Sequence, residues 1–226
     1  MSPLVRALKT GLGRKIVMAV TGLALIVFLI GHLTGNLLLL FSADKFNTYA
    51  HALVSNPLIY VAEAGLIFLF AMHAVQGVLT ARANRAARGQ RYEVARATES
   101  KRSKKGWSST FMIVSGAVLL IFVPLHVWSF KFGAYYEGVG GQRDLARLVF
   151  EAFSRPEVAL VYVVALALMG THLWHGFWSA HQTLGVTHKG LNGILHKLGM
   201  GVAVLLTAGF ISIPMLILFD VIKAGA

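Results

Sequence analysis

The chain has 226 residues, of which 56% are hydrophobic and 13% are charged, about half the charged fraction of a soluble domain. This composition excludes an ordinary soluble enzyme, and the lack of cysteine excludes disulfides, thiolate metal sites and an iron–sulfur cluster held by this chain. A formal net charge of +12 would suit nucleic acid, but the positions of the basic residues follow a membrane topology instead, and no nucleic-acid partner is expected.

Five stretches are long and apolar enough to cross a hydrocarbon core, which needs about 20 apolar residues. They lie near residues 14–41, 57–81, 107–132, 157–182 and 194–220. The first is too long for the apolar region of a cleavable signal peptide. The sequence therefore predicts an all-α polytopic membrane protein, a single domain over residues 1–226 folded as a bundle of five transmembrane helices.

The connections between the spans give the orientation. Most Lys and Arg residues precede the first span or lie in the connection 82–106, which makes these segments cytoplasmic and places the C-terminus outside. The basic loop 82–106 could contact anionic membrane lipid or a soluble partner, and both interpretations stay open. Of the external connections, 43–56 could form an interfacial helix, and 133–156 is treated as a loop.

Each of the first four spans carries at least one histidine in its later half, and an ionisable side chain inside a bilayer is a functional hypothesis by default. Odd-numbered spans run outward and even-numbered spans run inward. At 1.5 Å per residue, depth pairs His32 with His126 on the outer side and His73 with His172 on the inner side, with the two levels roughly 13–15 Å apart. Each pair can supply two imidazoles to one iron, so the sequence predicts two b-type haems.

Small residues recur around these histidines. Thr21-Gly22 and Ser115-Gly116 each precede a histidine by about three helical turns, which places them at the level of the inner haem. Other glycines follow a histidine by three or four residues on the same face. We predict that these small residues pack against the haems; they are Thr21, Gly22, Gly35, Gly77, Ser115, Gly116 and Gly176.

Other interpretations of the histidines stay open at this stage. A single intramembrane histidine can simply be hydrogen-bonded across helices, and His175 shares a face with His172 and competes with it as a ligand. A metal-ion transporter would cluster its histidines with acids near the midplane rather than at two levels. A structural anchor without haem would explain the spans but not the matched depths.

Four strings, in this order, resemble the single-chain cytochrome b subunit of succinate dehydrogenases and fumarate reductases. They are GRKIVMAVTGLALIVFLIGHLTGNLLLLFSADKFNTYAHAL at 13–53, MHAVQGVLTARANRAAR at 72–88, THLWHGFWSAHQTLG at 171–185 and GFISIP at 209–214. In that family the ligand histidines lie on the first four helices, and on the fourth a glycine follows the ligand by four residues. This pattern favours His172, followed by Gly176, over His175.

The resemblance implies a membrane subunit of a succinate:quinone oxidoreductase in the bacterial cytoplasmic membrane. It implies two b haems, a quinone that is usually menaquinone in such members, and two cytoplasmic partners, a flavoprotein and an iron–sulfur protein. Dicarboxylate chemistry would belong to the flavoprotein, because this chain has no soluble catalytic domain. The nearest functional alternative is the dihaem cytochrome b subunit of a hydrogenase or formate dehydrogenase.

One departure from the family concerns proton transfer. Some menaquinol-oxidising fumarate reductases of this type carry a glutamate two residues before the fourth-helix histidine, where this chain has Gly170, so that route is not expected here. Quinone chemistry still needs proton donors or acceptors. Glu63 is the only acid well inside a span, and we predict that it belongs to an outer quinone or proton-exit site, approached by His51. The alternative for Glu63 is a structural carboxylate at a helix end.

Overall fold

The computed structural model describes residues 10–87, 105–186 and 188–223. These residues form helices, with one isolated antiparallel bridge between Glu137 and Arg143. The α-helices are α1 (Gly11–Leu37), α2 (Ala43–Ser55), α3 (Leu58–Ala87), α4 (Lys105–Lys131), α5 (Leu145–Phe153), α6 (Pro156–Thr183) and α7 (Asn192–Leu218).

Five of these helices, α1, α3, α4, α6 and α7, are long and apolar enough to cross a membrane. The prediction of an all-α protein with five spans is therefore confirmed. The boundaries differ by a few residues, since α1 ends at Leu37 and continues as a 3₁₀ turn. Helix α3 runs on to Ala87, into the segment predicted as the basic loop. The rest of that loop, 88–104, lies outside the described residues.

The densest part of the bundle is formed by α1, α6 and α7. Its buried side chains include Leu33, Met169 and Phe210. Two glycines bring these helices close together, because an alanine methyl at Gly170 would lie 2.3 Å from Thr207 Oγ1. At Gly209, a methyl would lie 2.7 Å from Leu33 Cδ2. Such close approach is how membrane helices associate, since lipid provides no hydrophobic driving force between them.

The remaining spans are attached more loosely. Helix α3 packs on α1 and α4 packs on α6, whereas α3 and α4 make few contacts with each other. None of the residues in the most apolar part of α3 is buried. The four helices that carry His32, His73, His126 and His172 thus lie side by side, with little direct contact between α3 and α4.

A cap of two short helices covers the end of the bundle that the charge distribution predicts to be the outer one. Helix α2 confirms the helix predicted over 43–56, but α5 corrects the prediction that 133–156 is a loop. Asn47 joins the two helices, because its amide donates to Asp144 Oδ1 at 2.8 Å and its Oδ1 accepts from Ala146 N at 2.8 Å. The cap buries apolar side chains against α7, among them Phe46, Phe150 and Ile217.

Candidate functional site

The outer pair of histidines joins α1 to α4. The ring centroids of His32 and His126 are 5.9 Å apart, and the ring planes are nearly perpendicular at 83°. Aromatic rings surround them: Phe28 stacks on His32 at 5.4 Å and Phe122 stacks on His126 at 5.9 Å. The hydroxyl of Tyr162, on α6, lies 3.2 Å from His126 Nδ1. This hydrogen bond fixes the orientation of the His126 ring.

The inner pair joins α3 to α6. The ring centroids of His73 and His172 are 6.2 Å apart, with an interplanar angle of 72°. The structure thus brings together the two pairs that depth alone predicted. Two imidazoles that bind one first-row metal ion at about 2 Å each have ring centroids roughly 6 Å apart. Both pairs therefore have a spacing that would let two imidazoles bind one metal ion.

The hydrogen bonds of His73 indicate which of its nitrogens is available for a metal. His73 Nδ1 lies 3.0 Å from the carbonyl oxygen of Met18 and 3.3 Å from Thr21 Oγ1. A carbonyl can only accept, so Nδ1 carries the proton. The lone pair is then on Nε2, and a ligating histidine is normally held in this way, with its other ring nitrogen donating to a carbonyl.

His172 is held in an equivalent manner by Ser115. The Ser115 hydroxyl donates its proton to the Phe111 carbonyl at 2.7 Å, and its oxygen lies 3.1 Å from His172 Nδ1. Because the hydroxyl proton is already used, Ser115 accepts from Nδ1–H, and Nε2 of His172 again keeps its lone pair. In both inner imidazoles, Nε2 is therefore the unprotonated nitrogen, with a lone pair available to a metal ion.

Thr21 and Ser115 are the buried polar side chains of the described segments, with 6% and 1% of their surfaces exposed. Their location at the inner level agrees with the three-turn spacing in the sequence. Their chemical role is more specific than packing, because each contacts the Nδ1 of an inner histidine. The glycine after each leaves room for the same ring: a methyl at Gly22 would lie 2.9 Å from His73 Cε1. At Gly116 a methyl would lie 3.5 Å from His172 Cε1.

The other three predicted glycines differ from one another. A methyl at Gly176 would meet no atom within 4 Å, so this position borders open space. A methyl at Gly77 would be in ordinary contact with Met18 Sδ at 3.9 Å. At Gly35 the space is filled by the Tyr49 ring from α2, which would lie 2.4 Å from the methyl. Gly35 therefore lets the outer cap approach α1.

Glu63 and His51, the two residues predicted to belong to a quinone site, have separate surroundings. Glu63 lies in the second turn of α3 and forms an ion pair with Lys131 at the end of α4. It also lines a cleft of about 280 Å³ between α1 and α3, otherwise formed by apolar residues and Gly65. His51 is exposed on α2, where its Nε2 lies 3.2 Å from Ser55 Oγ. No described contact joins His51 to Glu63.

Two contributors to the site were missed from the sequence. Met18 acts through its backbone carbonyl, which no side-chain pattern can reveal. Tyr162 was overlooked, although it lies ten residues before His172 on α6 and could have been noticed as an intramembrane hydroxyl. Within the described residues, no group of three or more His, Asp or Glu side chains could hold a metal ion. The clustered ligands of a metal-ion transporter are therefore not found there.

Comparison with known proteins gives one informative relative. The chain is 32% identical over 162 residues to the succinate dehydrogenase cytochrome b558 subunit of Bacillus subtilis (strain 168). The match covers 71% of this chain and 73% of that protein. Neither a family model nor a solved structure matches the chain.

Proposed function

Because the chain belongs to the family of succinate dehydrogenase cytochrome b subunits, we propose that it carries electrons between an iron–sulfur partner and membrane quinone through two bis-histidine b haems. Its family membership confirms the resemblance predicted from the sequence. The observation that carries the proposal is the presence of two imidazole pairs, with centroids 5.9 and 6.2 Å apart, on four neighbouring helices of the bundle. In this role the chain is the membrane subunit of a succinate:quinone oxidoreductase.

The residues present fit two b haems. His32 and His126 would hold the outer iron, and His73 and His172 the inner one. Bound there, each haem would supply one-electron transfer at an iron that takes two imidazole nitrogens from the protein. The chain's own contribution is orientation of the ligands, since Nδ1–H of each inner histidine is held by a neighbouring helix. Such outer contacts fix the ring orientation and raise the basicity of the ligand.

The partners follow from the family and from the orientation of the helices. We place the chain in the bacterial cytoplasmic membrane as a multi-pass protein, with a flavoprotein and an iron–sulfur protein on its cytoplasmic face. Electrons would then pass between the iron–sulfur protein and the inner histidine pair, which lies nearer that face. The identity of the relative favours this function over a hydrogenase or formate dehydrogenase subunit, the alternative that the sequence left open.

A quinone, menaquinone by the resemblance, fits best at the outer cleft between α1 and α3. The cleft is almost entirely apolar, as an isoprenoid quinone requires, and Glu63 is its ionisable side chain. Phe28 lines the cleft and also stacks on His32, which connects the cleft to the outer pair. Glu63 lies about 7–8 Å from the outer end of α3, measured along the helix axis. This depth is close enough to the surface for proton exchange with water.

The haem assignment is tested on the intact complex purified in detergent. We expect two low-spin b haems per copy of this chain. Replacing His32 or His126 with alanine should remove the spectral component of the outer haem and keep that of the inner haem. Replacing His73 or His172 should do the reverse, because each pair would hold a different iron. A single haem in the wild-type complex, or loss of the same component in all four variants, would contradict two separate bis-histidine sites.

The role of Glu63 is tested by comparing a variant that loses its ionisable carboxyl group with one that loses only its ion pair. Glu63→Gln removes the ionisable proton and the ion pair, whereas Lys131→Gln removes only the ion pair. If Glu63 exchanges protons with quinone, Glu63→Gln should slow quinone turnover far more than Lys131→Gln, with both haem spectra intact. Equal turnover in the two variants would make Glu63 a purely structural residue.

A further inference from the structure

The helices around the inner histidine pair carry two corresponding patterns. Helices α1 and α4 both contain Met-x-Val-Thr/Ser-Gly, at 18–22 and 112–116, with a histidine eleven residues after the hydroxyl residue. Helices α3 and α6 contain HAVQGVLT at 73–80 and HLWHGFWS at 172–179. Each of these two strings begins with a histidine. A polar side chain follows it by three residues, a glycine by four and a hydroxyl side chain by seven. The α1–α3 and α4–α6 pairs thus present matching residues to the inner site.

On α3 the two polar positions have unused hydrogen-bonding atoms. Gln76 Oε1 and Thr80 Oγ1 are inaccessible to solvent and have no hydrogen-bond partner among the described residues. Hydroxyl residues inside membrane helices usually bond back to a carbonyl of the preceding turn, as Thr183 does to the Ser179 carbonyl at 2.9 Å. Thr80 makes no such bond. A polar atom left unpaired in an apolar interior is costly, so these atoms point to a missing partner.

The positions of Gln76 and Thr80 define where that partner lies. Residues three and seven after His73 fall on its helix face, roughly 4.5 and 10.5 Å nearer the inner surface. Gly77, between them, faces Met18, since a methyl there would make an ordinary contact with Met18 Sδ at 3.9 Å. On α6 the corresponding Gly176 borders space with no atom within 4 Å. The unpaired atoms therefore belong to the face of α3 that carries His73, at a level between that ring and the inner surface.

We propose that Gln76 and Thr80, with His175 and Ser179 at the corresponding positions of α6, bind the propionate groups of the inner haem. The proposal rests on the proposed function, because it requires a haem on His73 and His172. Propionates are carboxylates, and a carboxylate in an apolar setting requires N–H and O–H donors. The Thr80 hydroxyl is one such donor. The Gln76 amide is another, since half a turn about its last bond exchanges its oxygen for its NH₂ group.

The test uses the purified complex and a potentiometric titration of each haem. Thr80→Val and Gln76→Leu remove a donor each, and we expect them to lower the midpoint potential of the inner haem or to cause its loss. The reason is that less compensated propionate charge stabilises ferric iron. The outer haem should be unchanged. Thr80→Ser keeps the hydroxyl and should behave as the wild type does.

A matched control is available on α7. Thr207 Oγ1 is also buried and without a partner among the described residues, but it packs against Gly170 and α7 carries none of the four ligand histidines. Thr207→Val should therefore leave both potentials unchanged. Infrared difference spectra of the complex with ¹³C-labelled propionates add a direct measurement, since the Thr80→Val change should shift the labelled carboxylate band.

The outcomes distinguish a failure of the propionate site from a failure of the proposed electron-carrier function. If the wild-type complex binds two haems but the inner potential and the labelled band are unchanged in Thr80→Val and Gln76→Leu, the propionate site is wrong and the electron-carrier function stands. If Thr207→Val shifts the inner potential as much as Thr80→Val does, the effect comes from removing any buried hydroxyl, and the propionate site is again wrong. If the wild-type complex binds no haem at His73 and His172, the proposed function itself fails.

Discussion

Gly22 should be essential for the inner haem, whereas its counterpart Gly116 should tolerate alanine. A methyl at Gly22 would lie 2.9 Å from His73 Cε1 and 3.3 Å from its Nδ1. Carbon atoms in good contact are about 3.5–4.0 Å apart, so the His73 ring would have to move by at least ~0.6 Å. The ring is not free to do so, because its Nδ1–H is bonded to the Met18 carbonyl at 3.0 Å. At Gly116 the methyl would already be at a good contact distance, 3.5 Å from His172 Cε1.

The size of the effect follows from two independent estimates. Forcing an extra methyl into a packed site costs about 1–3 kcal/mol, which corresponds to about a 5- to 150-fold loss of affinity. Disturbing the residues that orient a metal ligand typically costs about 10- to 100-fold in metal affinity. We therefore expect Gly22→Ala to weaken binding of the inner haem by one to two orders of magnitude.

The assay compares the two alanine variants in the purified complex. Total haem is measured as the pyridine haemochrome, and the inner and outer haems are distinguished by low-temperature paramagnetic resonance. Gly22→Ala should lose or shift the inner signal while keeping the outer one, and Gly116→Ala should keep both. Two unshifted haem signals in Gly22→Ala, or equal damage from Gly116→Ala, would refute the argument from ring contact.

Two further predictions concern the outer cap. Asn47→Ala removes both hydrogen bonds between α2 and α5, at about 0.5–1.5 kcal/mol each, and should lower the thermal unfolding midpoint of the detergent-solubilised complex. The Tyr136 hydroxyl and the Arg147 guanidinium hold the pKa of Glu151 below its ordinary value. Because that pKa is depressed, the stabilisation is present at neutral pH and lost as the pH falls below about 4. Glu151→Gln should therefore show a smaller drop in unfolding midpoint between neutral and acidic pH than the wild type does.

The transmembrane helices could be predicted because the bilayer imposes a length and a polarity on each of them. A run of about 20 apolar residues has few alternatives to a spanning helix. Helix α5 escaped prediction because no such constraint acts on nine residues in an external connection. Its signals were local: Asp144 caps the helix by accepting from Arg147 N at 3.0 Å. Leu145, Val149 and Phe153 recur at helical spacing, and a short amphipathic pattern becomes meaningful only with the surface that α5 covers.

The pairing of the histidines could be predicted because helical rise converts residue number into depth. Periodicity also places a residue on a face, but it does not show which neighbour occupies the space in front of that face. Gly35 illustrates this limit of sequence analysis. It follows His32 by three residues, but the side chain that packs against it is Tyr49 of α2. The protonation pattern of the rings was likewise beyond sequence analysis, because the acceptor for His73 is the backbone carbonyl of Met18 on another helix.

The matching patterns on α1–α3 and α4–α6 do not make the two inner ligands equivalent. His73 Nδ1 has both a carbonyl and a hydroxyl oxygen within reach, whereas the described hydrogen bond of His172 Nδ1 is to Ser115 alone. A histidine that donates to a carbonyl is more strongly oriented, and more basic at its other nitrogen, than one that donates to a hydroxyl whose own proton is used elsewhere. The tighter contact at Gly22 than at Gly116 acts in the same direction. Although the two helix pairs carry matching residues, His73 is therefore the more rigidly fixed ligand. A substitution in α1 should affect the inner haem more than the corresponding substitution in α4.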